Sequence, residues 1–242
     1  MTSHVFHINN SSRRIIALLC LIVCANIGMA MAQARIPREV HLGVKGGAML
    51  SQYSFHPRVS QRFTGSYSMG VAARYIEEEY FGLQAELLIS DRGFADLYDP
   101  NPDGWLFERK LTYIELPVLA HVYFPLGKRN EISIDLGPKI AWFLGDRVNS
   151  SLPADFNSLV NVYKHHELPI SKKFDYGIQL GLGYEFKINQ KLSAQLSGSF
   201  YFGLGNLWPD TKADDFEESK VNSIQISFGL WWRHVIKGKK VK

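Results

Sequence analysis

Cysteine is nearly missing from this 242-residue chain: Cys20 and Cys24 are its two, both in one apolar stretch near the start. Downstream of them no disulfide framework can form, so the fold rests on hydrogen bonds and packing. Long apolar runs are missing as well. The longest such stretch, residues 15–28, is shorter than the roughly 20 residues a membrane helix needs. Charge of one sign is also lacking, since 27 Lys+Arg face 23 Asp+Glu with a net charge of +4. The charges are intermixed apart from a short Lys-rich tail, which removes the basic block expected of a nucleic-acid binder. No convincing amphipathic helix is present. What remains is 46% hydrophobic and 13% aromatic, too apolar for a disordered chain.

Arg13 and Arg14 precede the 15–28 stretch, and Ala30-Met31-Ala32 and then Gln33 follow it. Basic, apolar and small-x-small regions in that order read as a secretory signal peptide cut after Ala32. A lipoprotein reading through Cys24 is disfavoured by the bulky Val23. We therefore expect residues 1–32 to be removed and 33–39 to form a short N-terminal segment. Residues 40–236 would form one domain, and 237–242 a basic tail. Cleavage leaves 25 basic and 23 acidic side chains, a formal charge of +2.

From Gln33 onward the dominant period is two, the period of strands. Eight stretches carry it: 40–49, 64–75, 81–90, 111–124, 131–143, 174–186, 192–204 and 222–235. Short connections (76–80, 125–130, 187–191) alternate with long polar ones (50–63, 91–110, 144–173, 205–221). An up-and-down antiparallel sheet would put all short turns at one end and all long loops at the other, the layout of a transmembrane β-barrel.

The two faces of these strands decide between water and lipid. One face collects Lys45, Arg74, Glu86, Glu115, His121, Asp135, Lys139, Asp175, Glu185 and Arg233 among Gly, Ser and Ala. The other is apolar, with aliphatics in the middle and aromatics at the ends: Tyr75, Phe81, Phe124, Tyr184, Phe186 and Trp232 toward the short turns, Tyr67, Trp142, Tyr176, Phe200 and Phe202 toward the long loops. Two aromatic girdles around an apolar band are what a bilayer selects. The expectation is an all-β fold, an eight-stranded antiparallel up-and-down transmembrane β-barrel. Its termini would be periplasmic and its four long loops extracellular, in the outer membrane of a Gram-negative bacterium. Pro117 and Pro138 fall inside strands, as bulges or where the lost donor faces no partner. The chain also runs past Trp231 and Trp232 into its basic tail, so an assembly signal would be internal or altered.

The run His41-Leu-Gly-Val-Lys-Gly-Gly-Ala-Met-Leu-Ser51 resembles the opening strand of PorT-like outer-membrane β-barrel proteins of Bacteroidetes-type bacteria. Leu83-Gln-Ala-Glu-Leu-Leu-Ile-Ser-Asp-Arg-Gly93, Leu111-Thr-Tyr-Ile-Glu-Leu-Pro-Val-Leu119, Leu136-Gly-Pro138, Asp175-Tyr-Gly-Ile178 and Phe202-Gly-Leu-Gly-Asn206 are similar to that family, in order and at plausible spacing. The resemblance implies an eight-stranded outer-membrane barrel with proline at both strand positions. One branch of the family is linked to protein secretion and gliding.

Chemistry is harder to find. His165-His166, with Glu167 and Asp155, lacks a third ligand at recognisable metal spacing and reads as a solvated loop pair. His121 and Glu115 are six residues apart on one strand, about 20 Å, too far to act together. Lys45, Arg74, Glu86, Glu115, Asp135, Lys139, Glu185 and Arg233 read as a paired network filling the lumen, since buried charges persist when paired. Trp105, Phe107, Tyr163 and Trp208 are candidate anchors in the outer loops, or caps tucked over the mouth. Gly43, Lys45, Gly46 and Gly47 do not make a phosphate loop, because no helix follows. We expect no catalytic residue, metal or cofactor. The leading reading is a non-enzymatic envelope or secretion-associated barrel, binding lipid, lipopolysaccharide and envelope proteins but no nucleic acid. A narrow channel and an outer-leaflet lipid-modifying enzyme are the alternatives.

Overall fold

The structure, a computed structural model, describes residues 38–98, 101, 104–153, 164–208 and 217–236. The expected signal segment, most of the segment 33–39 and the basic tail lie outside these residues, as do Asp155 and Tyr163. Eight long strands follow one another: β1 (Arg38–His56), β2 (Thr64–Ile76), β3 (Phe81–Asp96), β4 (Phe107–Leu126), β5 (Asn130–Ser150), β6 (Phe174–Lys187), β7 (Leu192–Gly203) and β8 (Glu218–Ile236). Each pairs antiparallel with its neighbours in sequence. β1 also pairs with β8 along its whole length, from Arg38↔Ile236 to His56↔Glu218, and that ladder closes the ring. A two-residue strand, Gln61–Arg62, adds to the outer end of β3.

Alternation fixes which face goes where. Leu42, Val44, Met69, Val71, Leu83, Leu87, Ile134, Leu136, Ile178, Leu180, Leu182, Ile226 and Phe228 are all exposed on the outside of the ring. The charged residues between them are buried within it. A water-soluble barrel has the reverse arrangement. The aromatics expected at both ends of the apolar band are exposed there, from Tyr75, Phe124 and Trp232 at the short-turn end to Tyr67, Trp142 and Phe202 at the other. Closure gives each long strand a neighbour on both sides and leaves the ring without an open edge strand across the apolar band, as hydrocarbon demands. The short turns and both strand termini share the end that such barrels direct to the periplasm.

The strands run further toward the loops than alternation indicates. β1 continues to His56, β3 to Asp96, β4 begins at Phe107, β5 reaches Ser150, and β8 begins at Glu218. Above the lipid no apolar outer face is required, so the pattern fades while the backbone ladder continues. At the two prolines the register is kept but the ladder is interrupted. β3 and β4 pair at Ala85↔Val118 and again at Leu88↔Glu115, with no pairing beside Pro117. β4 and β5 pair at Pro117↔Lys139 and again at Ala120↔Leu136, with none beside Pro138. Proline offers no N–H to either ladder. These are gaps and not bulges; the register shift in the β4–β5 ladder lies at Thr112/Tyr113.

Glycine is required where β1 meets β8. A Cβ on Gly47 would come within 2.0 Å of the Ile226 carbonyl oxygen, and one on Gly43 within 2.7 Å of the Trp231 ring.

Leu180 lies in the middle of the apolar band of β6 and is 47% exposed, while Val148, 51% exposed, lies on the extension of β5 beyond the band. Arginine at Leu180 should cost about 2–4 kcal/mol of folding stability, and at Val148 about 0–1 kcal/mol. Reversible urea unfolding in lipid vesicles measures both, and equal costs would contradict the membrane depth assigned to these positions.

Candidate functional site

Even-numbered residues of β3 from Gln84 to Asp96 point into the ring, as do the odd-numbered residues of β4 from Phe107 to His121. Opposite partners from six other strands complete the lumen in successive tiers. Nearest the termini, Arg233 forms an ion pair with Glu39, and His41 Nε2 lies 3.0 Å from the same carboxylate. Lys187 reaches Glu131 at 2.6 Å beside them.

The next tier centres on Arg74. Its Nη1 donates to Glu185 at 2.8 Å and its Nε to Gln84 Oε1 at 2.9 Å. The guanidinium lies 4.2 Å from the ring centre of Trp231, whose Nε1 donates to Gln195. A cation over the face of a desolvated indole is a favourable electrostatic contact, and Gly43 leaves room for that indole. In the same region His121 Nδ1 lies 2.6 Å from Asp135 Oδ1. Toward the middle, Lys45 Nζ donates to Glu86 at 2.9 Å, a carboxylate that also accepts from Gln84.

The outermost charged tier is the most deeply enclosed. Glu115 accepts from Lys139 Nζ at 2.9 Å, from Arg92 Nε at 2.7 Å and from the Ser90 hydroxyl. Arg92 also donates to Asp175 at 2.6 Å, and the Tyr201 hydroxyl donates a hydrogen bond to the same carboxylate at 2.9 Å. Arg92 lies over the rings of Tyr113 and Tyr201, and Lys139 over that of Tyr201. Both Glu115 and Arg92 are 0% exposed. Burial of that kind is tolerated where each charge meets an opposite charge and its remaining polar atoms find partners.

All eight charged residues singled out in the sequence thus sit in the lumen or at its inner end. Lys45 meets Glu86, Arg74 meets Glu185, and Glu115 meets Lys139, whereas Asp135 and Arg233 take His121 and Glu39 from outside that set. Arg92, the hub of the outermost tier, is absent from it because residues 91–110 read as loop. Extending the inward parity Glu86, Leu88, Ser90 by one step would have reached it.

Above this tier the mouth is filled by rings. Tyr53, Phe55, Phe94, Tyr98, Phe107, Tyr113 and Trp208 form one buried apolar cluster with Leu111, Leu207 and Val221, and Trp105 packs against its edge. Phe107 and Trp208, each 3% exposed, are therefore caps over the barrel mouth and not surface anchors. The histidine pair also differs from expectation. His165 is 0% exposed and His166 half-buried, and neither is a solvated loop residue. Their Nε2 atoms converge on Asp96: His165 at 2.9 and 3.0 Å from its two oxygens, His166 at 2.6 Å from Oδ2. Phe107 stacks on His166 with ring centres 3.6 Å apart. Burial pushes the His166 imidazole below its ordinary pKa; the Asp96 hydrogen bond opposes this and His165 adds to it.

Replacing Glu115 with alanine leaves Arg92 and Lys139 buried around a missing carboxylate. It should cost about 3–5 kcal/mol of stability. Glu77→Ala, which breaks the surface pair Arg38–Glu77 with side chains 60% and 37% exposed, should cost about 0–1 kcal/mol. Urea unfolding in vesicles compares the two, and a small loss at Glu115 would contradict the clasp.

Several solved structures are similar to this chain. Ail, the attachment invasion locus protein of Yersinia pestis, in complex with the heparin analogue sucrose octasulfate, shares 14% identity over 82% of this chain and 100% of its own, with a TM-score of 0.41. The outer membrane protein OprG from Pseudomonas aeruginosa shares 9% over 84% and 100%, with a TM-score of 0.49. Neisserial surface protein A shares 12% over 79% and 96%, with a TM-score of 0.40. No curated protein sequence matches the chain. The family model described as "Outer membrane protein beta-barrel domain" matches residues 31–208. With an inverted, closed eight-stranded ring and a match over more than half its length, the chain belongs to the outer membrane protein beta-barrel domain family of the Gram-negative outer membrane.

Proposed function

We propose that this protein is a closed, non-enzymatic barrel that holds its extracellular end out to a partner in the cell envelope. The observation that carries this reading is the filled lumen. Paired charges occupy it from Glu39 and Arg233 to Arg92 and Glu115, and the ring cluster around Phe94 and Trp208 covers its outer end. An eight-stranded ring leaves room for side chains and little else, so a narrow channel is the weaker reading. An outer-leaflet enzyme working through His121 is also disfavoured, since His121 is buried against Asp135 on the short-turn side of the lumen.

What remains for contact with partners is the outer surface of the extended strands. A groove of about 330 Å³ lies on it, lined by Tyr67, Lys110, Arg147 and Val148 among others. Asp91 and Glu108 line it too and pair with Arg147 and Lys110, so a lipopolysaccharide phosphate would compete with these carboxylates for the two cations while its acyl chains meet Tyr67 and Val148. Arg58, Arg62, Phe63 and Leu97 form a second exposed group where the first loop meets the end of β3, suited to a protein partner. We further propose that the chain is PorT-like, on the motifs around Lys45, Glu86, Pro117 and Pro138.

Planar-bilayer recordings should show no conductance step above leak, and regular unitary steps would overturn the closed reading. A photoreactive residue at Arg58 or Leu97 in intact cells should give a discrete crosslinked adduct. Silence at both positions, with the barrel folded and surface-exposed, would overturn partner presentation.

A further inference from the structure

The histidine pair and its carboxylate fit no role in the lumen network. Asp96 has a fully buried side chain, and among the described residues no lysine or arginine reaches it; its partners are the two imidazoles and, at 3.5 Å, the Tyr98 hydroxyl. Among the described residues the two other carboxylates with 0% exposed side chains each meet a lysine or arginine, Glu86 with Lys45 and Glu115 with Arg92 and Lys139, while the slightly less enclosed Asp135 faces one imidazole, His121. A buried anion facing two imidazoles has no permanent countercharge of the kind that stabilises the others.

The geometry supplies a place for that charge. One ligand atom from each of Asp96, His165 and His166 lies within 4.8 Å of the other two. Around a tetrahedral ion with ligand bonds of about 2.0–2.1 Å, donor atoms sit roughly 3.3 Å apart. The present separations of 2.6 to 3.0 Å from the carboxylate need to open by well under an ångström, and the two imidazole nitrogens, within 4.8 Å of each other, need to close toward the same spacing. The donors are held in place. Phe107 stacks on His166, Phe55 and Phe94 flank His165 at 5.7 and 5.8 Å, and Asp96 ends a strand paired on both sides. Two imidazoles and one carboxylate are a borderline donor set, suited to late first-row divalent ions over calcium or magnesium.

We propose that Asp96, His165 and His166 bind a late first-row divalent cation, with zinc as the reference ion, which staples the third extracellular loop to the end of β3 inside the barrel mouth. On binding, each Nε2 gives up its hydrogen bond to Asp96 and ligates the ion through its lone pair, with the imidazole proton carried on Nδ1. Asp96 ligates as the carboxylate. The expectation is independent of which partner the barrel presents itself to.

The test uses the full, untagged, folded barrel in detergent, stripped with a chelator and titrated calorimetrically with zinc, and with magnesium for comparison. Zinc should bind at one ion per chain and magnesium should not compete. His166→Gln and Asp96→Asn, with folding checked by heat-dependent gel mobility, should weaken zinc by more than about 100-fold, beyond the loss of a supporting hydrogen bond. Absence of saturable zinc binding, or equal affinity in wild type and both variants, would overturn the proposal. Should the variants not fold, cobalt bound to the wild type decides. Intense four-coordinate absorption bands support the site, and a weak octahedral spectrum alone overturns it.

Discussion

An eight-stranded ring encloses a space only as wide as the side chains that fill it, and hydrocarbon outside forbids any charge from turning outward at low cost. Every ionised group that strand alternation directs inward must therefore find its opposite within that one narrow column. The clasp of Arg92 and Lys139 on Glu115, with Asp175 taking the other side of Arg92, is where this constraint is tightest. The residues come from β3, β4, β5 and β6, so the clasp ties half the ring together across its axis. The Arg74–Glu185 pair does the same lower down, joining β2 to β6.

Much of this is legible in the residues. Inside the lipid, alternation is enforced twice, by hydrocarbon on one face and by paired charges on the other, and there the strand positions and inward residues follow from period two. Glu86, Glu115, Lys139 and Glu185 are recognisable as lumen residues without knowing their partners. The pairings are not, since they depend on the stagger between strands. Asp135 meets His121 because β4 and β5 are in a register that places the two side by side. Beyond the membrane, lipid no longer enforces the pattern, and the same logic assigned Arg92 and Asp96 to a loop. Both keep the inward parity of β3, one becoming the hub of the clasp and the other the focus of the histidine pair. Phe107 and Trp208 show the converse. Aromatics in a polar loop suggest a binding surface, yet the mouth of a filled barrel is itself a hydrophobic site that needs covering.

The barrel therefore has two parts with different physics. The lower part is a membrane-crossing wall stiffened by ion pairs, and the upper part is a water-exposed extension capped by rings. In the proposed reading, partner contact belongs to the upper part.

Closure of the lumen is the central claim, and accessibility of one lumen atom tests it most directly. Ser227 is buried, with its hydroxyl 3.0 Å from that of Ser197, and cysteine is nearly isosteric with it. In a chain freed of Cys20 and Cys24, Ser227→Cys should resist a charged thiol reagent from either side of a sealed vesicle and react fully once the barrel is unfolded. Rapid labelling of the folded barrel would show a water-filled lumen and contradict the account.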